Sequence, residues 1–393
     1  VSIFEKLNNY CLFILVFSVT FENWDPFQLG GSISVTYMAS VIYIISWLPR
    51  LKKSFRIISV RQYLIPLILF TIIGVISTAL NSSYAESIEG AYNERVITLI
   101  ILMTLMVSHF YEDSTLVDKA LNAYVVSISL LYFLFLIGIG SDFKGGRLLL
   151  FGENPNSIGV KVVIAFLICV SRLITEKFDW KKLLLYSVAI ISCLNLIILS
   201  GSRGALVSVF ISLALLVLFM RINILKKMIF FLIGISFSVL FMTMIMKSNP
   251  VFKERILRTI ESGDTGRSDL WQSSLLIIED NLFFGVGLAG ALPEMLRYTG
   301  RLIDPHNVFL YVLMTTGVFG LLFYLIFILR LSKNLYQKFR QNGEVVYMVM
   351  LAVVVFNMGK TGGAISKIFF WFFFAVLIGS TFKNLGSRHS DTT

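Results

Sequence analysis

Charge is what this chain has least of. Only 15% of its 393 residues are Asp, Glu, Lys or Arg, where a soluble domain carries about a quarter. That scarcity excludes a globular protein with a water-facing shell. Cysteine and histidine number three each. Cys11, Cys169 and Cys193 all sit inside apolar runs, so they read as packing residues, without metal-ligand spacing or a disulfide framework. No small-residue cleavage site follows the first apolar run, which gives way to Glu22-Asn23-Trp24-Asp25; that run is expected to stay as a transmembrane helix. No internal repeat of the kind that marks many transporters is visible. Nor does an ionisable residue lie near the middle of an apolar run, Lys161 being the deepest. Carriers and pumps place such groups at mid-membrane depth, so a coupled transporter or a flippase is disfavoured.

What the chain does have is hydrophobic length. It is 56% hydrophobic with 35 phenylalanines and a mean hydropathy of +0.82. Apolar runs of about 18 or more residues, bounded by charge, read as membrane helices. The expected fold class is all-α, a polytopic integral membrane protein with about twelve spans: 9–22, 33–49, 62–80, 94–111, 119–140, 157–173, 183–200, 204–220, 228–246, 306–329, 345–359 and 367–382. Basic residues sort the loops. Arg50, Lys52, Lys53, Arg56 and Arg61, then Lys177, Lys181 and Lys182, then Arg221, Lys226 and Lys227, then Arg330, Lys333, Lys338 and Arg340 fall on one side. The positive-inside rule makes that side cytoplasmic, together with both termini. The same rule accounts for most of the net charge of +11, which in a soluble protein would suggest nucleic acid as a partner; none is expected here. Loops 23–32, 81–93, 141–156, 201–203, 247–305 and 360–366 are then external, and 247–305 is the only long hydrophilic interval in the chain.

Several external segments carry arginine against the charge rule. Arg203 lies in the tight turn Ser200-Gly201-Ser202-Arg203-Gly204, whose glycines clear space for something to approach. An interfacial arginine can simply snorkel to lipid phosphates, but its planar fork also suits a diphosphate held at the interface. Arg147 follows two glycines and is either a site residue or a plain loop charge. Asn154-Pro155-Asn156 is a helix-start signal whose amides are also candidates for sugar hydroxyls. Lys161, about one turn into the next helix, either snorkels outward or faces a polar cavity. In the long loop, Lys253–Ile260 has helical spacing, with Arg255 and Arg258 expected to rest on headgroups. Arg267 opens a helical stretch, Ser268–Ile278, with Trp271 one turn on; a helix start favours anions and Arg267 adds charge there. Arg297 and Arg301 are weaker candidates. Gly285-Val286-Gly287-Leu288-Ala289-Gly290 matches a dinucleotide fingerprint in letters only, because no strand precedes it; it reads as a flexible glycine turn. His306 begins a clean apolar span after Asp304-Pro305, and imidazole is the usual group for moving a proton near neutral pH. His109 sits at a helix end and His389 in the polar tail.

Three of these pieces together resemble the O-antigen polymerase and ligase superfamily. Ser200-Gly201-Ser202-Arg203-Gly204 is similar to its SGSRG segment. Gly266-Arg267-Ser268-Asp269-Leu270-Trp271, running on to Phe284-Gly285-Val286-Gly287, resembles its G-R-x-x-x-W…G-x-G segment. Pro305-His306-Asn307-Val308-Phe309-Leu310, with Gly317 and Gly320, resembles its PHNxxL…G-x-x-G segment. The resemblance covers roughly 150–330 and divides the chain into N-terminal membrane helices, 1–140, and a polymerase/ligase-like region, 141–393. It implies a metal-independent, cofactor-free glycosyltransferase of the bacterial inner membrane, working at the periplasmic face. Donor and acceptor would be glycans on undecaprenyl diphosphate, with membrane lipids around them; whether a chain-length regulator protein joins them is open in the sequence. Carried over residue by residue, Arg203 and Arg267 would hold the diphosphate, with Arg147 joining them on a looser match. His306 would activate or position the acceptor hydroxyl, and Asn156 and Asn307 would contact diphosphate or glycan. A polymerase joining lipid-linked repeat units is the first reading, because the SGSRG and PHN pieces lie closer to polymerases. A ligase moving the finished glycan to lipid A-core is the second.

Overall fold

The structure is a computed structural model describing residues 3–28, 33–50, 54, 57–84, 94–176, 179–262 and 267–382. Of the residues singled out above, Lys52, Lys53, Arg56, Lys177, Gly266 and His389 lie outside the described residues. The chain is helical almost throughout. In order come α1 (Ile3–Ser18), α2 (Val35–Trp47), α3 (Ile58–Leu80), α4 (Glu94–Glu112) and α5 (Leu116–Leu136). A hairpin, β1 (Ser141–Lys144) and β2 (Arg147–Leu150), leads to α6 (Pro155–Thr175), α7 (Trp180–Ser200), α8 (Arg203–Phe219) and α9 (Ile224–Ser248). The hydrophilic segment forms α10 (Pro250–Ser262), α11 (Ser268–Asp280) and α12 (Gly287–Thr299), and α13 (Val308–Asn342), α14 (Val346–Met358) and α15 (Ile368–Ser380) complete the chain.

Every expected span overlaps a helix. By length and composition α3, α4, α5, α6, α7, α9 and α13 can cross a membrane, while α8, α14 and α15 are apolar but shorter. The fold is an all-α, polytopic membrane architecture. Its centre is α15, every residue of which is buried. A helix apolar all round must be surrounded, and phenylalanine supplies the contacts: Phe373 meets Tyr124 of α5 edge-on at 5.0 Å, and Phe374 meets Phe327 of α13 at 5.1 Å.

Two features depart from the sequence reading. The first is the hairpin, where a plain loop is expected. Gly145 and Gly146 both have positive φ, 56° and 69°, the two-residue turn whose twist matches paired strands, and Arg147 is thereby set opposite Lys144. The second is α13, which runs well past the apolar stretch and is broken at Gly317 (φ 65°, ψ −168°). A side chain at Gly317 would collide with the backbone of Phe283 and Phe284. The polar groups freed by the break find partners in the 282–286 turn: Val318 N–H donates to Leu282 O and Val286 N–H to Met314 O, both at 2.9 Å. The glycine turn read as flexible is in fact clamped into this break.

The long segment is therefore a folded cap. Leu270, Ile277, Ile278, Val286, Ala291, Met295 and Met314 form their own apolar cluster beneath it. Asn249 caps α10, accepting from Phe252 N–H at 2.9 Å, with Pro250 in the first helical position, where it costs no hydrogen bond. Leu288 N–H donates to Thr78 Oγ1 (3.2 Å) and Asn81 Nδ2 to Gly285 O (3.1 Å), which ties the cap to the end of α3.

Candidate active site

The site is built where α7 turns into α8. Gly201 ends α7 in the left-handed conformation, and Ser202 caps α8 by accepting from Ala205 N–H at 3.3 Å. Arg203 is therefore the first residue of α8. The turn leaves the last carbonyls of α7 outside the helix ladder, where a helix end carries partial negative charge. Two arginines take them. Arg147 Nε donates to Ser200 O at 2.9 Å and Arg255 Nη1 to Gly201 O at 2.7 Å. Arg147 Nη2 also donates to Asn156 Oδ1 at 2.8 Å, and Ser202 Oγ approaches the same oxygen at 3.3 Å. Arg203 Nη1 donates to Arg255 O at 3.2 Å and to Thr259 Oγ1. Lys360, from the segment between α14 and α15, donates to Gly204 O at 2.6 Å and Ser208 Oγ at 3.1 Å. The space beside Gly201 and Gly204, expected to be open, holds Arg147 and Lys360.

These cations are half-buried and act on one another. Burial pushes Arg147 down to about 10, with Arg255 and Arg203 adding to it. Arg255 is lowered by burial and then by Arg203 and Arg267, and Arg267 by burial and then Arg203. Burial followed by Arg267 brings Lys360 to about 7. Among the described residues no carboxylate pairs with Arg147, Arg255, Arg267 or Lys360. Gathering like charges in a partly desolvated place is costly unless a polyanion joins them, and such perturbed clusters mark functional sites.

The sequence reading needs one correction here. Arg255, assigned to headgroups, belongs to the cluster, while its helix neighbour Arg258 is exposed and paired with Glu254 at 2.5 Å. Arg297 and Arg301 are exposed and stand outside the cluster, Arg297 lying 3.7 Å from Glu294.

The second half of the site is an Asp–His pair. Asp304 Oδ1 accepts from both His306 N–H and His306 Nδ1, each at 2.7 Å, and its Oδ2 accepts from Gly363 N–H. Burial alone would raise the Asp304 carboxyl, but these bonds outweigh it and hold the group below the ordinary carboxylate range. An ionised carboxylate can only accept, so Nδ1 carries the hydrogen and Nε2 is left as the basic nitrogen. His306 itself sits in left-handed backbone, φ 52°, a strained conformation for a side chain of this size. Trp271, one turn along α11 from Arg267, holds the neighbouring Pro305 O through Nε1 at 3.0 Å. Asn307 caps α13, accepting from Phe309 and Leu310 N–H at 3.0 and 3.3 Å. Asp304, Asn307, Tyr311, Thr361 and Ser366 line a cavity of about 190 Å³ beside the pair.

One segment joins the halves. Gly362 packs so closely on His306 that a side chain there would strike the ring, while Lys360, two residues earlier, lies against Gly204. Two residues of chain span at most about 7 Å, so an oriented histidine and a cluster of cations share one substrate-sized region. Asp304 and Lys360 are functional candidates that sequence reasoning missed. The signals were an acid two residues before the histidine, and a lysine in a glycine-rich turn. Nothing in the sequence singled out Arg255.

Lys161 neither snorkels nor faces an open cavity. It is buried with Glu153 at 2.5 Å and Glu22 at 3.7 Å, and Lys367 lies 3.5 Å from Glu153. Burial opposes the Glu153 charge, yet Lys161 and Lys367 hold its carboxyl well below the usual range. A depressed carboxyl contributes stability that is present above its unfolded pKa and lost only as pH falls through the folded one. Glu153→Gln is expected to cost about 3–5 kcal/mol, because it takes the nearer carboxylate from the buried Lys161 ammonium and leaves it Glu22 at 3.7 Å. Thermal unfolding in detergent reads this, and an unchanged melting temperature at neutral pH would refute the pairing. His109 is likewise structural: its Nε2 meets Asn9 Oδ1 at 2.8 Å and its ring packs on Trp47 at 4.3 Å. Among the described residues no three of His, Cys, Asp and Glu converge as a metal would need.

The fold and site define a helical membrane protein with an anion-attracting cluster beside an oriented histidine. Residues 188–325, from α7 through the cap and past the break in α13, match the family model described as O-antigen ligase. That match spans Arg203, Arg255, Arg267 and His306, and over this region it supports the O-antigen ligase and polymerase superfamily, whose members are glycosyltransferase-like enzymes. No curated protein matches the chain.

Proposed function

We propose that the protein is a polymerase joining undecaprenyl-diphosphate-linked repeat units into O-antigen or a related surface polysaccharide at the periplasmic face of the inner membrane. The observation that carries this reading is the cluster of Arg147, Arg203, Arg255 and Arg267, with one segment, 360–363, lying against both the His306 ring and the Gly204 carbonyl beside Arg203. In this reading the acceptor sugar hydroxyl attacks the anomeric carbon of the donor's first sugar and gives its proton to His306 Nε2. The anomeric carbon–oxygen bond breaks, and its electron pair leaves on the lipid diphosphate. The arginines stabilise that growing charge, and the histidine makes a weak nucleophile competent. With both substrates lipid-tethered, positioning supplies much of the rest. Asn156 serves this chemistry by holding Arg147, since its Oδ1 is occupied there.

A second reading, a ligase moving the finished glycan to lipid A-core or another acceptor, is favoured by the description of the matching family. Deleting the protein separates the two. Lipopolysaccharide core capped by a single repeat on a gel is the outcome expected for a polymerase; long lipid-linked chains that never reach core would establish the ligase instead.

A further inference from the structure

The segment between α14 and α15 brings two lysines to the site, and the reaction above uses neither. Lys367 is committed to the buried network, bonding Ser157 Oγ and lying 3.5 Å from Glu153. Lys360 is not. Its Nζ has two acceptors among the described residues, Gly204 O and Ser208 Oγ, and an ammonium carries three N–H groups. It lies 3.9 Å over the Phe356 ring, a placement that suits a cation. Gly204 is the residue after Arg203, so the ammonium sits beside the arginine cluster.

We propose that Lys360 is a further ligand of the diphosphate, delivered by the 359–363 segment, and that it takes up a proton as the anion enters. This rests on reading the site as one for a lipid diphosphate. The charged groups around Lys360 are Arg203 on α8, Arg267 at the start of α11, and Arg255 of α10 beside Arg203. On its own segment the Asp304–His306 pair sits against Gly362 and Gly363, with Asp304 engaged by His306 and Gly363. With the site empty, burial and Arg267 disfavour the ammonium, and the amine titrates at about 7. A diphosphate reverses the sign of the local field and restores the charge. Arginine cannot do this, because it stays protonated throughout. The empty site is thereby spared a further like charge, and the filled one gains it.

Binding must then be coupled to proton uptake, on the order of half a proton or more per site at pH 8. The test is calorimetric titration of the detergent-solubilised full chain with farnesyl diphosphate at pH 8, in two buffers of different ionisation enthalpy. The wild type should take up on the order of half a proton more than Lys360→Arg, which should bind within about threefold of wild type. Lys360→Met should lose both the uptake and about tenfold in affinity. Equal proton counts in the wild type and Lys360→Arg overturn the inference while leaving the diphosphate site standing. Equal uptake on adding phosphatidylglycerol micelles would assign the lysine to lipid headgroups and overturn it as well. A folded wild type that binds no farnesyl diphosphate would sink the diphosphate reading itself, and this inference with it.

Discussion

His306→Ala, at matched expression, should slow glycan transfer by about 10²–10⁴-fold, the usual worth of a positioned general base. The expectation rests on more than residue type. His306 N–H and Nδ1 both bond Asp304 Oδ1 at 2.7 Å, which fixes the ring's orientation and directs Nε2 away from the pair. The strained backbone at φ 52° is held by that bidentate grip and by the Trp271 bond to Pro305 O. Alanine removes the base, and the strain alone gives no reason to keep an imidazole. Turnover in vesicles supplied with lipid-linked repeat units measures the loss, and full chain elongation in His306→Ala would end the base assignment. Asp304→Asn should also slow transfer, because an amide no longer dictates which ring nitrogen carries the hydrogen. It has a second, independent signature. The Asp304 carboxyl is depressed in the fold, so its stabilising effect is present above its unfolded pKa and fades as pH falls through the folded one. The melting-temperature gap between wild type and Asp304→Asn should therefore close on acidification.

Much of this was readable from the chain, and what was not has physical causes. The membrane helices are legible because a span is specified by composition over about 20 residues, and no distant residue can change that. The cap at Asn154 is local, and Asn-Pro announces it. Arg203 and His306 stand out because each sits in a tight turn at a helix start. Arg255 is different. Its spacing with Arg258 on α10 is that of one exposed face, and only the packing of α10 on the α7–α8 turn gives Arg255 a carbonyl, Gly201 O, that Arg258 cannot reach. Lys161 was ambiguous for the same reason: its partners Glu22 and Glu153 lie on separate segments. The break at Gly317 is invisible without the 282–286 turn that fills it, since a glycine in an apolar run marks a packing contact as readily as a kink. Local signals give the elements; which cation meets which oxygen is tertiary.

Arg267→Met should cut transfer by about 10²–10³-fold, as removal of one preorganised donor for a leaving group does, and should leave the melting temperature unchanged or raised. The sign of the second effect is what identifies the role. Arg267 is half-buried and destabilised first by burial and then by Arg203, with no carboxylate pairing with it among the described residues. A structural arginine lost from such a place would leave partners unsatisfied and lower stability. An arginine kept for a ligand leaves the empty protein relieved of repulsion, a trade of stability for activity seen where sites hold like charges together. Arg203→Ala should lose transfer to a similar degree but also lower stability, because its Nη1 bonds Arg255 O and Thr259 Oγ1. Arg203→Lys should rescue little, since an ammonium cannot reproduce the guanidinium fork. Arg258→Ala, exposed and paired along its own helix with Glu254, is the control and should transfer at the wild-type rate. A drop in melting temperature for Arg267→Met with unchanged turnover of the folded protein would make Arg267 a structural residue. The diphosphate would then rest on Arg147, Arg203 and Arg255, all of which are already anchored by carbonyl or hydroxyl oxygens. That leaves the site without an arginine free to follow the charge as it moves onto the leaving group, so the developing negative charge would have to be met by Lys360.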